Sequence, residues 1–599
     1  DWMDELLRTG VMQNYTVSYS GGNEKSHYYV SGGFLDQSGT VRSVNYRRFT
    51  FQSNSDAQVL KWLKFSNNIT FSTDTKDSGS YNIGDALKAL PVLPVKNEDG
   101  SWSGPEGNSE WYGSIRNPIG PTQLNKSQTK GYNFLANLTA ELTFTKWLKF
   151  KSTFGYDAKF WFIDNFTPKY NWKPIPTEET SRYKSDNKSF TYLWDNYFLF
   201  DHTFAEKHRV GVMAGSSAQW NENDYLNAQK NVFMFDNVHE MDNGQEMYAI
   251  GGSSNEWALL SYMARINYSY EDRYMLTATV RRDGSSRFGK KNRWGTFPSV
   301  SLGWTINNEA FLKDQTWLNN LKLRVGYGVT GVIPTANYLS QYTYDYDAYG
   351  DILNKEGDWI QTLKVSQNPN KDLKWETTKE WNFGLDWSVL NDRLRGSVDY
   401  YVKTTSDMLY DYSVPVPPNL HNYTTANVGK MRNNGIEVMV NAIPVRTKDF
   451  EWNTTFTLSH NKNKLLSLSN DLYETETFHE VGGLGEPISI ATHCMEVGKG
   501  LGDFWGLKSV GVNKDGVVLV EVSDGNGGWT VKEFNTNLNV KENRQRLGNG
   551  LPKVYAGWGN NFRYKGFDLS LQFTGQFGYK ILNAQRSFYE NNSVAYNRL

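Results

Sequence analysis

Acidic and aromatic residues alternate in the segment YTYDYDAYGD, residues 342–351. Its carboxylates, Asp345, Asp347 and Asp351, offer the oxygen ligands that Ca²⁺ takes in acidic loops. The segment lacks the complete pattern of an EF-hand calcium loop. We therefore favour an ordinary solvated acidic loop and keep a calcium site as the alternative.

Aromatic residues in the irregular parts of the chain could form a binding surface. Flat rings stack on sugars and pack against peptide side chains. Contacts with another part of the protein, or with a partner protein, account for the same rings equally well, so both interpretations stay open. The candidate substrate-binding residues are Trp102, Trp111, Tyr112, Tyr342, Tyr344 and Tyr346.

Residue patterns typical of a catalytic centre are absent from the sequence. It contains no HExxH, no GxSxG and no GxxxxGK[ST], and no two of its eight histidines are four residues apart. The single cysteine, Cys494, excludes an intramolecular disulfide and a two-cysteine metal site. We therefore predict that the protein is not an enzyme and has no cofactor.

The segment RRDGSSRFGKKNRW, residues 281–294, is basic and could bind an anionic ligand or lipopolysaccharide. A packed loop whose Arg and Lys side chains pair with carboxylates is the alternative. The whole chain has 63 basic and 64 acidic residues and a net charge of −1. Because there is no positive excess, we favour the packed loop and predict no nucleic-acid partner.

The elements that must position these residues show period-two alternation of apolar and polar side chains. Phe134, Ala136 and Leu138 alternate with Asn137 and Thr139, and the same pattern recurs along the chain. Successive side chains of a strand point to opposite faces, so each such segment predicts a strand with one apolar and one polar face. We count about 16–18 of these strands.

Short turns alternate with long irregular segments between the strands. The short turns include 145–147, 271–273 and 391–393. Outer-membrane barrels have short periplasmic turns and long extracellular loops, and this asymmetry predicts an all-β transmembrane antiparallel barrel. The predicted long loops are roughly 74–130, 160–186, 221–255, 331–374, 405–427 and 463–553.

Composition supports the barrel over the other classes of protein. Aromatic residues make up 15% of the chain and Gly occurs 52 times, whereas the mean hydropathy is −0.62. No apolar run is long enough for a transmembrane helix. A secreted β-sandwich adhesin is the soluble alternative. We disfavour it because the repeats have no constant length and the strands are long, with aromatic residues near their ends.

Several segments resemble the SusC-like (RagA-type) group of TonB-dependent receptors of Bacteroidetes. Together they span nearly the whole chain in the order in which the family has them. The segments are WMDELLRTGVMQNYTVSYSGGNEKSHYYVSGGFLDQSG (2–39), RRDGSSRFGKKNRWGTFPSVSLGW (281–304), NPNKDLKWETTKEWNFGLDW (368–387), NVGKMRNNGIEVMVNA (427–442), GKGLGDFWGLKSVG (498–511) and GLPKVYAGWGNNFRYKGFDLSLQF (550–573).

The resemblance implies an outer-membrane barrel of about 22 strands that imports glycans or oligopeptides with energy from TonB. It also implies a SusD-like surface lipoprotein as lid, contact with the bilayer and lipopolysaccharide, and a dimer of SusCD-type pairs. A passive porin or structural barrel is the alternative function. We expect residues 1–599 to be the barrel portion, without the N-terminal plug, the TonB-contacting segment and the final strands.

One stretch departs from the family pattern. Residues 512–535 contain strand-like runs around the turn-forming pairs Asp515-Gly516 and Asp524-Gly525. We predict a small extracellular hairpin there, inside the loop 463–553.

Overall fold

The computed structural model describes residues 1–104, 115, 117–170, 176–235, 238–312, 315–470, 477–484 and 489–590. Nearly all of the regular structure is β-strand. No helix in these ranges is long and apolar enough to cross a membrane, a finding that says nothing about strands. The short helices are α1 (Trp2–Leu6), α2 (Ile83–Lys88), α3 (Gly120–Leu124) and α4 (Arg586–Tyr589).

Eighteen strands within the described ranges belong to one antiparallel sheet, which confirms the predicted strand number. They are β1 (Met12–Asn23), β2 (Ser26–Ser38), β3 (Asn45–Leu60), β4 (Leu63–Asp77), β5 (Lys126–Thr145), β6 (Leu148–Thr167), β7 (Ser181–Phe204), β8 (His208–Phe233), β9 (Gly244–Tyr270), β10 (Tyr274–Ser285), β11 (Trp294–Thr305), β12 (Leu318–Val332), β15 (Glu376–Val389), β16 (Leu394–Ser413), β17 (Tyr423–Arg446), β18 (Phe450–Ser467), β26 (Val554–Tyr564) and β27 (Phe567–Phe577).

Smaller sheets occupy two of the loops. A two-stranded hairpin lies between β12 and β15, and a four-stranded and a three-stranded sheet lie between β18 and β26. Their strands are β13 (Tyr344–Leu353) and β14 (Trp359–Val365); β19 (Phe478–Gly483), β20 (Ala491–Glu496), β21 (Asp503–Gly506) and β25 (Gln545–Asn549); and β22 (Ser509–Val512), β23 (Val518–Ser523) and β24 (Trp529–Glu533).

The chain divides into two compact units. Unit 1 comprises 1–199, 215–261 and 584–599, and unit 2 comprises 200–214 and 262–583. In unit 1, β1 to β6 pair consecutively and antiparallel. In unit 2, β10, β11, β12, β15, β16, β17, β18, β26 and β27 pair in that order. Sequential pairing of this kind is the topology of an up-and-down meander.

Tight turns close one end of the hairpins, as the sequence predicted. The turns at 145–147, 271–273 and 391–393 each connect the two strands of a hairpin. Asp272 (φ 53°) and Asn391 (φ 54°) adopt the left-handed conformation that recurs in tight hairpin turns. Asn and Asp tolerate this conformation better than other residues with a side chain, which explains their place here.

The predicted boundaries of several long loops are wrong, because the strands extend far into them. Segment 160–186 contains the end of β6 and the start of β7, and 221–255 contains parts of β8 and β9. Strand β9 has 27 residues, whereas a tilted membrane strand needs about 9–11. The outer parts of these strands therefore extend beyond the thickness of a bilayer.

The two faces of the sheet differ as the alternation predicts. In β1, Tyr15, Val17 and Tyr19 are 60–78% exposed and share one face, while Thr16 and Ser18 lie on the other. Across strands of unit 1, Phe51 pairs with Phe71, and Phe71 pairs with Phe134, so the apolar face is continuous. A continuous exposed apolar face is unstable in water and stable in lipid.

Candidate functional site

The polar face of unit 2 carries a row of side chains that crosses neighbouring strands from β16 to β27. Asp399 on β16 is the register partner of Glu437 on β17, which is in turn the partner of Ser459 on β18. The row continues through Tyr555 on β26 to Gln576 on β27. Register and alternation together place all of these side chains on one face.

A cavity of about 870 Å³ lies against this row. Its lining includes the carboxylates of Asp399 and Glu437, the amide of Gln576 and the phenol of Tyr555. The volume falls in the range of pockets that hold small molecules, about 300–1,000 Å³. The lining can donate and accept hydrogen bonds, so it suits a polar ligand or a polar protein surface.

Beside the cavity, Arg324 holds two carboxylates of the same face. Its Nε and Nη2 each donate to Asp386 at 2.8 Å, and Nη2 donates to Asp399 Oδ2 at 3.1 Å. The planar guanidinium suits this double contact. The ion pair between Arg324 and Asp399 fixes the orientation of the Asp399 side chain at the edge of the cavity.

Unit 1 has the same kind of polar face. Lys149 Nζ donates to Glu141 Oε1 at 2.7 Å, and the hydroxyls of Thr139 and Thr153 lie 2.9 Å apart. These groups come from the alternate positions that the sequence predicted to be polar. No group of three or more His, Cys, Asp or Glu side chains within the described ranges is arranged to hold a metal ion. The groups on these polar faces can therefore form hydrogen bonds and ion pairs with a ligand.

Trp102 lies in a small apolar cluster of the loop between β4 and β5. It packs against a core that includes Trp2, Leu6 and Ile119, and the Nζ of Lys96 lies 4.6 Å from its ring centroid. The ring is half-buried and contributes to loop packing. Of the other candidate binding residues, Trp111 and Tyr112 lie outside the described residues.

The aromatic and acidic segment forms strand β13 of the loop hairpin. Tyr342 precedes the strand, Tyr344 begins it, and both rings are more than half exposed. The backbone of Tyr346 pairs with Leu363 on β14, and its side chain lies outside the described residues. Asp345 and Asp351 are exposed, and Asp347 pairs through its backbone with Thr362 while its side chain is likewise not described.

The basic segment 281–294 is a packed loop end. Arg281 pairs with Asp283 at 2.7 Å, and Arg287 donates to Asn337 Oδ1 and to the Pro334 carbonyl, both at 2.7 Å. Phe288 is almost fully buried, and its ring centroid lies 5.2 Å from that of Trp375. These contacts agree with the packed-loop interpretation.

Sequence reasoning missed the row from Asp399 to Gln576 and the Arg324 contacts. Each of these residues occupies a polar position of a predicted strand, but the strands come from distant parts of the sequence. Only the register of each pair shows that the residues meet, and a shift by one residue would turn them to the opposite face.

The TonB-dependent receptor-like β-barrel family matches residues 61–481, more than half of the chain. The chain belongs to this family. Its polar face is therefore the lumen face of a barrel wall, and its apolar face is the lipid-facing one. The predicted resemblance, fold class and outer-membrane localisation are confirmed, as is the prediction that the protein is not an enzyme.

The chain is 29% identical to TonB-dependent receptor P3 of Formosa agariphila, over 97% of this chain and 59% of that protein. It is 30% identical to TonB-dependent receptor P39 of the same organism, over 97% of this chain and 57% of that protein. It is 29% identical to TonB-dependent receptor SusC of Bacteroides thetaiotaomicron, over 95% of this chain and 58% of that protein. The chain thus spans less than two thirds of the length of these relatives.

Among solved structures, the chain is similar in fold to the RagAB peptide importer in its closed-closed state. The TM-score is 0.86 at 24% identity, covering 100% of this chain and 65% of that chain. The outer-membrane transporter YddB from Escherichia coli gives a TM-score of 0.52 at 10% identity, covering 95% of this chain and 63% of that chain. These likenesses establish the fold.

Proposed function

We propose that this chain is the barrel wall of a SusC-like transporter that imports a nutrient across the outer membrane. The observation that carries the proposal is the sheet with an apolar face for lipid and a charged, hydrogen-bonding face for the lumen, in a chain of the TonB-dependent receptor family. The substrate class is a glycan, an oligosaccharide or an oligopeptide. Such molecules are too large for passive diffusion through narrow porins.

The mechanism is ligand-gated import without covalent chemistry. The lumen cavity beside Asp399 and Glu437 offers polar groups to a substrate or to a plug. Binding energy alone cannot drive net accumulation, so an external energy source must open the path. We propose that TonB supplies it through a plug in the complete protein, and the greater length of the curated relatives supports this proposal.

A SusD-like surface lipoprotein is the proposed lid. The family resemblance and the likeness in fold to one part of a RagAB complex support this partner. Contact with lipopolysaccharide and a dimer of SusCD-type pairs belong to the same proposal. The loops that would meet the lid are those on the side away from the tight turns.

We propose that aromatic residues of these outer loops contact the substrate. Tyr342 and Tyr344 are the candidates that the described geometry supports best, since both rings are exposed on the loop side. Trp102 is half-buried and packs against the loop core. Trp111, Tyr112 and Tyr346 stay candidates from the sequence. The three-stranded sheet at β22–β24 is the proposed hairpin subdomain of the loop.

The experiment is purification of the full-length protein from outer membranes in mild detergent, followed by mass spectrometry of the co-purifying molecules. We expect a stoichiometric lipoprotein and a bound glycan or peptide. Uptake of that ligand should disappear in a strain without TonB. A barrel that purifies alone and conducts the same solute without TonB would establish the passive-porin alternative.

Tyr342→Ala and Tyr344→Ala test the proposed aromatic contacts in the same preparation. We expect less bound ligand with an unchanged amount of lipoprotein. Phe311→Ala is the matched control, because Phe311 is also exposed but lies at the tight-turn end. Equal ligand in all three variants would remove the tyrosines from the binding site.

A further inference from the structure

A second cavity of unit 2, of about 610 Å³, lies where β18 and β26 meet the loop between them. Asn463 of β18 and Asn549 of loop strand β25 contribute to its lining. Tyr579, which follows β27, lines this cavity and also the cavity beside Asp399 and Glu437. The two cavities are therefore neighbours, and we call them the loop-end cavity and the lumen cavity.

The loop-end cavity is basic. Its lining contains four cationic side chains and one carboxylate, namely Lys462, Arg546, Lys553, Lys580 and Asp503. Arg546 pairs with Asp503 at 2.9 Å and with Glu496 outside the lining. The three lysines pair with no carboxylate in the ranges that the structure describes. The cavity therefore offers three ammonium groups to an anionic group of a ligand.

The chain itself holds two of these lysines at the cavity. Lys580 Nζ donates to the Leu547 carbonyl at 2.6 Å, and its stem crosses Gly548 so closely that a Cβ there would collide with it. The stem of Lys553 packs against Gly578, where an added Cβ would lie 3.2 Å from Lys553 Cβ. An ammonium group has three N–H donors, so Lys580 keeps two of them for a ligand.

The lumen cavity has the opposite charge. Asp399 and Glu437 are the charged residues of its lining. Arg324 contacts both Asp399 and Asp386, so this group of three keeps a net charge of −1. Glu437 pairs with no Lys or Arg of the described part of the chain and brings the net charge to −2. The lumen cavity therefore attracts a cationic group.

The two sets of charges are as far apart as the ends of a short peptide. Tyr555 lies two strands from Glu437 in the register, about 10 Å across the sheet. Lys553 precedes Tyr555 by two residues, about 7 Å along the strand. The backbones at Glu437 and Lys553 are therefore roughly 12 Å apart. An extended chain covers about 3.3–3.6 Å per residue, so about three to four residues span this distance.

From this geometry we propose that the loop-end cavity is a carboxylate site, and that it and the lumen cavity bind opposite ends of a short oligopeptide. This inference rests on the proposed import function and names its substrate. The terminal carboxylate meets the three lysines, and the terminal ammonium meets Asp399 and Glu437. Between the two ends, Ser459, Gln576 and Tyr579 offer hydroxyl and amide groups to the peptide backbone.

Charge distinguishes this ligand from the other substrate classes. A neutral glycan leaves both sets of charges without a counterpart. A glycan with uronate or sulfate groups suits the lysines, but Asp399 and Glu437 repel it, and placing like charges together costs free energy. At neutral pH an oligopeptide with free ends carries an ammonium and a carboxylate on one short chain. The two cavities therefore favour a peptide.

The test measures the binding of tetrapeptides to the purified full-length protein by equilibrium dialysis, with detection by mass spectrometry. The probes are an equimolar library built from uncharged amino acids with free ends, the same library with acetylated amino ends, and the same library with amidated carboxyl ends. We expect either cap to weaken binding by about twofold to fivefold, because each removes one charge interaction at a partly solvated site.

Charge variants assign each end of the peptide to its cavity. In the triple variant Lys462→Gln, Lys553→Gln, Lys580→Gln, amidation should no longer weaken binding, while acetylation keeps its effect. In Glu437→Gln, acetylation should weaken binding less than in the wild type, while amidation keeps its effect. Lys322→Gln is the matched control, because Lys322 lies on the same polar face and lines neither cavity. The control should respond to both caps like the wild type, and heat-modifiable migration verifies that each variant is folded.

Equal binding of the free and capped libraries by the wild type would overturn the inference. Tighter binding of maltotetraose or tetragalacturonate than of the free library would overturn it as well. Loss of both cap effects in the triple variant would mean that the lysines support the wall or contact another segment of the protein, and would remove the carboxylate site. These outcomes leave the proposed import function intact. That function fails separately if the bound solute enters cells without TonB.

Discussion

The 18-stranded sheet, here called the membrane sheet, and the loop sheet β22–β24 differ in the exposure of their apolar side chains. In β1 of the membrane sheet, Val17 is 78% exposed although it lies in the middle of a strand. In loop strand β23, Val520 and Val522 are 3% and 1% exposed, and Glu521 between them forms an ion pair with Lys508 at the surface. The same alternation thus turns apolar side chains outward in the membrane sheet, where lipid covers them, and inward in the loop sheet, which is surrounded by water.

This difference shows what alternation alone can and cannot specify. Period two defines two faces, but it does not say whether lipid, water or protein covers the apolar one. In the membrane sheet, the length of the strands and the placement of aromatic rings indicate that lipid covers the apolar face. The loop strands have only 4–6 residues, which indicates a small protein core surrounded by water.

The largest expected effect comes from a charge on the lipid-facing side. Leu138→Arg should cost about 2–4 kcal/mol near mid-bilayer and impair membrane assembly. Thr139→Arg, on the lumen side, should assemble normally. Heat-modifiable migration in outer-membrane fractions measures both variants. Equal tolerance of the two would show that the faces of β5 are wrongly assigned.

In the loop, the corresponding effect comes from the buried side. Val522→Ala should destabilise the β22–β24 sheet by about 2 kcal/mol, since it leaves a small cavity in a packed core. Val531→Ala, at an exposed position of β24, is the control and should change little. Hydrogen exchange of 509–533, followed by mass spectrometry, measures the local stability. Fast exchange in both variants would contradict the packed core.

A smaller effect is expected on the lumen face. Arg324→Ala removes the guanidinium that joins Asp386 and Asp399. Because these side chains are about one-third exposed or less, water screens part of the cost, and we expect a loss of about 1–2 kcal/mol. The midpoint of urea unfolding in detergent micelles measures it. An unchanged midpoint would mean that solvent replaces the ion pair fully.

The smallest effect is a pH dependence of the loop sheet. The Lys508 ammonium, which bonds to Glu521, lowers the pKa of that carboxyl below its ordinary value of 4.5. A lowered folded-state pKa contributes stability above pH 4.5, and this stability is lost as the pH falls through the folded-state pKa. After correction for the intrinsic pH dependence of amide exchange, the protection of 509–533 should therefore fall slightly in acid. Lys508→Met should abolish this loss of protection, and its persistence would assign it to another group.

Much of the membrane sheet could be predicted from the sequence because its determinants are local. Alternation identified the faces of β5, and the Asp and Asn residues identified the turns at 271–273 and 391–393. The outer parts of β6 to β9 escaped prediction, since above the bilayer neither face needs to be apolar. There the contrast on which the alternation argument depends disappears.

The candidate sites were harder to predict because they depend on register. Ser459 and Tyr555 are neighbours in the lumen row but lie in strands that are encoded far apart. A cavity of unit 1 likewise combines Asn45 and Asp77 of the β3–β4 hairpin with Asp164 of β6. Trp102 looked like a free loop aromatic, and only its packing against Trp2 and Leu6 shows a structural role.

The most direct test of the account is the accessibility of spin labels at two neighbouring positions of β1 in lipid vesicles. Val17→Cys and Ser18→Cys are labelled in the full-length protein, with the native cysteine removed by Cys494→Ser. We predict that the label at 17 collides preferentially with lipid-soluble oxygen, and the label at 18 with a water-soluble nickel chelate. The reverse pattern, or equal water access at both positions, would contradict the assignment of the apolar face to lipid.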